Sequence, residues 1–94
     1  MNNNEPNQKK INDLISLFNQ KEFLNIVELS QKLLINYPNS VLVNNIAGVA
    51  QTELKNYKLA RDLFIKVIKL NSKFVDGFYN LGNIYNKLNK ENEA

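Results

Sequence analysis

The chain has 94 residues, one domain's length or less, and as a conventional globule it would sit near the lower end of what a single core can stabilise. It has no cysteine and no histidine, which removes disulfides, thiolate metal sites and the commonest catalytic bases, and leaves the redox compartment unread. Its 12 basic and 9 acidic residues give +3, but they are scattered, and only Arg61 among the basic residues carries a guanidinium fork; this describes a solvated surface and speaks against nucleic acid as a partner.

Met1 to Pro6 is polar and asparagine-rich with little to bury, and reads as a disordered leader. It lacks the apolar run of an export signal, and no stretch approaches the roughly 18 to 20 apolar residues of a membrane span, so a soluble cytoplasmic protein is expected. Ile11, Leu14, Ile15, Leu17 and Phe18 recur at three- and four-residue intervals and predict an amphipathic helix over 7–20. Phe23, Ile26, Val27, Leu29, Ser30, Leu33 and Leu34 predict a second, to about Asn36. Tyr37-Pro38-Asn39-Ser40 is a stop, because proline disfavours helix in the residue before it and Asn39 or Ser40 can cap the next helix.

A third helix is predicted over 40–54 with Val43, Ile46, Ala47 and Ala50 inward. A tight turn at Lys55-Asn56 leads to a fourth over 57–70, burying Ala60, Leu63, Phe64, Val67 and Ile68. After Asn71-Ser72, a fifth is predicted over 73–88, followed by a turn at Asn89-Lys90 and the start of a sixth helix that Ala94 cuts short.

Gly48 and Gly82 stand 34 residues apart, and the residue pattern around them repeats: Val41/Val75, Leu54/Leu88 and Ala60/Ala94 coincide. A further step back places Leu14, Phe23, Ile26 and Leu33 where Gly48, Tyr57, Ala60 and Val67 stand. A glycine inside a helix costs about 1 kcal/mol against alanine, so its recurrence calls for close approach of a second helix, with Ala60 and Ala94 as the small residues opposite.

On these residues the chain resembles the tetratricopeptide repeat, a 34-residue unit with a large residue, Leu-Gly, Tyr, Ala, an aromatic, Ala and Pro at fixed places. Phe78, Leu81, Gly82, Tyr85 and Ala94 match it in the last copy, and Ala47, Gly48, Ala60, Phe64 and Val67 in the middle one, which departs at Asn44, Gln51 and Ser72. The first keeps Pro38 and departs at Leu14, Ile26 and Ser30. The resemblance implies an all-α, right-handed solenoid of antiparallel helix-turn-helix hairpins, with five helices plus the start of a sixth and repeats at 7–40, 41–74 and, in part, 75–94.

It also implies a concave groove lined by the first helix of each repeat. Carried over, the lining is Gln8, Ile11, Asn12, Ile15, Phe18 and Asn19 in the first copy, then Leu42, Asn45, Ile46, Val49, Thr52 and Glu53, then Asp76, Tyr79, Asn80, Asn83, Asn86 and Lys87. Ile11, Asn12, Ile15, Asn45, Ile46, Val49, Tyr79, Asn80 and Asn83 are the expected partner contacts, with apolar side chains burying surface and asparagine amides bonding to a ligand backbone. Members that clamp a C-terminal carboxylate carry Lys, Asn, Asn, Lys and Arg where this chain has Ile11, Ile15, Ile46, Asp76 and Asn80, so a chaperone-tail adaptor is not expected.

No phosphate loop, nucleophile elbow or cation loop is spelled, and Glu22, Glu28, Glu53 and Asp62 stand singly where a helix surface would carry a solvated charge. Glu91 and Glu93 complement the dipole of the expected last helix. Tyr79 and Tyr85 could be taken for a base-stacking platform, but Tyr85 at this spacing is repeat core. No catalytic residue, cofactor or metal is expected. The reading is a protein-interaction module that binds a partner peptide or helix; the alternative is the leading segment of a larger glycosyltransferase, sulfotransferase or methyltransferase that recruits its substrate. Self-association through an unpaired fifth helix is a third reading.

Overall fold

The computed structural model describes residues 4–93, and Ala94, the expected counterpart of Ala60, lies outside them together with the first three residues of the leader. Five helices account for most of the described chain, and there is no strand among the described residues: α1 Gln8–Asn19, α2 Phe23–Asn36, α3 Val41–Glu53, α4 Tyr57–Leu70 and α5 Val75–Glu93. Each packs on the next, while α1 also touches α3 and α3 touches α5. The odd-numbered helices therefore form one row, and the body is elongated, 45 × 29 × 20 Å.

Local chemistry sets the helix ends. Asn7 caps α1 by accepting from the Lys10 N–H at 3.0 Å, and Ser40 caps α3 by accepting from the Val43 N–H at 3.0 Å. Within each hairpin one lysine adopts the left-handed conformation, Lys21 with φ 59° and Lys55 with φ 66°. Around Lys21 the Glu22 N–H reaches the Leu17 carbonyl at 2.9 Å and the Lys21 N–H reaches Phe18 at 3.0 Å. Around Lys55 the Asn56 N–H reaches Gln51 at 2.8 Å and the Lys55 N–H reaches Thr52 at 3.0 Å. This paired closure is the Schellman arrangement, which satisfies carbonyls that a helix end otherwise leaves free.

The bonds at Lys55 are those at Lys21 displaced by one 34-residue step. The turns between hairpins follow suit: Tyr37 N–H to Leu33 at 2.8 Å and Ser40 N–H to Tyr37 at 3.1 Å become Asn71 to Val67 at 2.9 Å and Phe74 to Asn71 at 3.1 Å. The repetition of the sequence is thus a repetition of backbone geometry.

Two small cores result. Ile11, Leu14, Ile26, Leu33, Val43 and Ala50 form the first, where α1, α2 and α3 meet. Ala60, Phe64 and Ile84 form the second between α4 and α5, with Val49, Tyr57, Leu81 and Leu88 packed on it. Asn44, where the resembling family carries a large residue, is buried because its amide donates to the Ser40 carbonyl at 2.7 Å and to the Pro38 carbonyl at 3.2 Å, tying the turn to the helix it precedes.

Several expectations are corrected. Glu5 and Pro6 are not a free leader: Pro6 is buried, and the Glu5 carboxylate accepts from the Ser40 hydroxyl and, at 2.9 Å, from the Val41 N–H, so it sits on the N-terminus of α3 where the helix dipole favours negative charge. α5 runs straight through the turn expected at Asn89-Lys90. A left-handed residue costs about 1–2 kcal/mol; at Lys21 and Lys55 the packing of the returning helix offsets that cost, and no returning helix follows α5 among the described residues. For the same reason Tyr85, expected in the core, is half exposed, as is Phe78.

Gly48 and Gly82 also part company. A Cβ placed on Gly48 would come within 2.5 Å of the Phe64 ring, which is itself buried, so here only glycine fits. A Cβ on Gly82 would meet nothing within 4 Å, so no close helix approach accounts for it. Replacing Gly48 with alanine is expected to destabilise by about 1–3 kcal/mol through overpacking, despite the gain in helix propensity. Gly82→Ala is expected to stabilise by up to about 1 kcal/mol. Urea titrations of the two variants read both shifts, and equal effects would contradict the assignment. Loss of the cap in Glu5→Ala is expected to cost about 1 kcal/mol, measured in the same way.

Candidate functional site: a cleft along the odd-numbered helices

The row formed by α1, α3 and α5 carries a cleft of about 360 Å³, at the small end of ligand-binding clefts. Ile11, Ile15 and Phe18 from α1 form one wall and Leu42, Ile46 and Val49 from α3 the other, with Leu14 behind them. Phe74, just ahead of α5, and Asp76 in its first turn complete the lining. The residues of each wall recur at three or four positions, so one stripe of each helix faces the opening.

The apolar lining has a structural cause. Ile11 and Leu14 belong to the first core and Ile46 packs on it, while Val49 packs on the second, so the floor of the cleft is the outer surface of both cores. Ile15 is 44% and Leu42 42% exposed: these side chains are held by the helices without being covered. A rigid apolar surface left open to water gains free energy when a partner covers it, at roughly 25 cal/mol per Å².

Of the nine residues expected to contact a partner, Ile11, Ile15, Asn45, Ile46 and Val49 come together on this cleft. Asn80 reaches its edge indirectly: its Nδ2 donates to the Asn45 Oδ1 at 3.0 Å across 35 residues of chain, joining α5 to α3. That bond occupies the Asn45 oxygen and leaves the Asn45 amide hydrogens and the Asn80 oxygen for a ligand backbone. Asn12 is exposed beside the cleft, and its Oδ1 accepts from Gln8 Nε2 at 2.9 Å. Tyr79 and Asn83 are exposed on α5 and do not line the cleft.

Leu14 and Phe74 line the cleft although neither belongs to the expected lining. For Leu14 a signal existed, since it is a large residue at the place where the next repeat has Gly48. Phe74 lies in a turn, outside any helical stripe, and only the path of the backbone between α4 and α5 brings it in.

A second apolar surface lies on the outer side of α5, where Val75 is 75%, Phe78 51% and Tyr85 50% exposed around the uncovered Gly82. On the opposite side of α3 from the cleft, the surface between α2 and α4 includes Val27, Leu34, Leu59 and Leu63. Among the described residues no helix is long and apolar enough to cross a membrane.

The tie between Asn45 and Asn80 generates a prediction of its own. Asn80→Ala is expected to cost about 0.5–1.5 kcal/mol and to speed hydrogen exchange in the first half of α5, with α1 and α2 unaffected. Uniform acceleration over all helices would show that the bond does not hold α5 specifically. In comparisons with known proteins, no protein-family model matches the chain and no curated protein matches it.

Proposed function

We propose that the chain is a protein-interaction module of the tetratricopeptide kind, a stretch of right-handed solenoid whose odd-numbered helices hold an apolar peptide or helix of a partner. The observation that carries this reading is the cleft itself: an open, preformed apolar surface on three helices, with the Asn45 and Asn80 amides on its rim. Support for the solenoid comes from the hairpin turns, whose hydrogen bonds recur after one 34-residue step, and from the contacts of α3 with both α1 and α5. A unit that buries its apolar face only against its neighbours is the physical basis of such arrays. Binding would combine burial against Ile11, Ile15, Ile46 and Val49 with amide hydrogen bonds, and the reading places the module in the cytoplasm.

The test is co-purification from the native cell. A protein partner is expected on the unaltered chain and is expected to be lost with an Ile46→Asp/Asn80→Ala variant that retains its helical circular dichroism. Recovery of no partner, or of the same partner by both chains, would contradict the proposal.

A second reading, self-association through α5, is favoured by the open notch at Gly82 between the half-exposed Phe78 and Tyr85. Sedimentation equilibrium would then show a dimer at millimolar concentration that weakens in Tyr85→Lys. Monomer throughout would dispose of it.

A further inference from the structure

The chain as a whole is positive, +3, yet its cleft is not. Among the described residues that line it, Asp76 is the one with a charge. The nearer stripe of α1, Gln8, Ile11, Ile15 and Phe18, has no charge. On α3 the stripe Leu42, Ile46 and Val49 continues at the same helical spacing to Glu53, a second exposed carboxylate. Lys87 and Lys90, the basic residues of α5, stand together beside Tyr57, away from Asp76, with the Lys87 ammonium 5.8 Å from the Tyr57 ring centre. Among the described residues the ion pairs are Lys32 with Glu28 and Arg61 with Asp62, so neither Asp76 nor Glu53 is matched by a cation of this chain.

From this placement we infer that the groove selects an apolar peptide segment with a lysine or arginine beside its apolar residues, the cation lying against Asp76. The inference rests on the groove reading above and names the chemistry of its ligand. Apolar side chains of the peptide fill the space between Ile11, Ile15, Ile46 and Val49, which provides affinity without sign. Charge selection comes from Asp76, the charged residue of the lining. Its carboxylate is exposed, and the positive end of the α5 dipole offsets part of the Asp76 charge. The contribution is therefore that of one solvated ion pair, about a two- to fivefold preference that fades with salt.

A random dodecapeptide library panned on the full chain tests this at low salt. Peptides enriched by the unaltered chain are expected to carry Leu, Ile or Phe, with Lys and Arg exceeding Asp and Glu near them severalfold, and Asp76→Lys is expected to reverse that sign. Apolar peptides without a charge preference, or with the same preference on both chains, would overturn this inference and leave the groove reading standing. No enrichment, or enrichment that Ile46→Asp leaves unchanged, would overturn both.

Discussion

The left-handed turn inside each hairpin is the constraint on which the rest of the molecule depends. Lys21 and Lys55 take up a backbone conformation that a side chain disfavours by about 1–2 kcal/mol. They stay there because two hydrogen bonds close each turn and the returning helix buries Ile26 or Ala60 against the one before it. With the turn in place, the second helix of each hairpin has one direction in which to run. The next turn returns the chain to the same side, so α1, α3 and α5 come to lie in a row. The cleft is a consequence of that row, not a separately built feature.

The two complete hairpins achieve burial by opposite distributions of size. In the second, Gly48 is small and Phe64 large, and the ring rests directly on the glycine. In the first, the residues one repeat earlier are Leu14 and Ser30, both also buried, so the bulk stands on the first helix. Close packing constrains the sum of the facing volumes more tightly than either member. The exchange has an effect on the candidate site, because the larger residue on α1 also reaches the cleft. Gly82 shows the complement: with no facing residue, the same amino acid at the same place in the repeat has no packing role among the described residues.

Much of this was legible in the sequence because it is local. The helical periods, the Ser40 cap and the stop at Tyr37-Pro38 follow from propensity and hydrogen-bonding chemistry within a few residues, and α2 and α4 lie where their apolar spacing predicts them. The five expected contacts that gather on the cleft, Ile11, Ile15, Asn45, Ile46 and Val49, were expected through the family resemblance and not from the residues' own pattern. What escaped is non-local. Glu5 finds the end of α3 across 35 residues of chain, and nothing near Glu5 announces it. The Asn89-Lys90 turn resembles the one at Lys55-Asn56 in its residues, but a turn of this type depends on the helix that packs after it. Phe74 enters the cleft through the path of a loop.

The central claim is that one side of this molecule, the row of odd-numbered helices, is its binding face. Two-dimensional amide NMR of the ¹⁵N-labelled chain, titrated with a peptide selected on it, addresses that claim residue by residue. The account predicts shifts concentrated at Ile15, Asn45, Ile46, Val49 and Asn80, with the amides of Val27, Gln31, Leu59 and Lys66 on α2 and α4 unmoved. Shifts centred on α2 and α4, with the amides of α1 and α3 still, would contradict it.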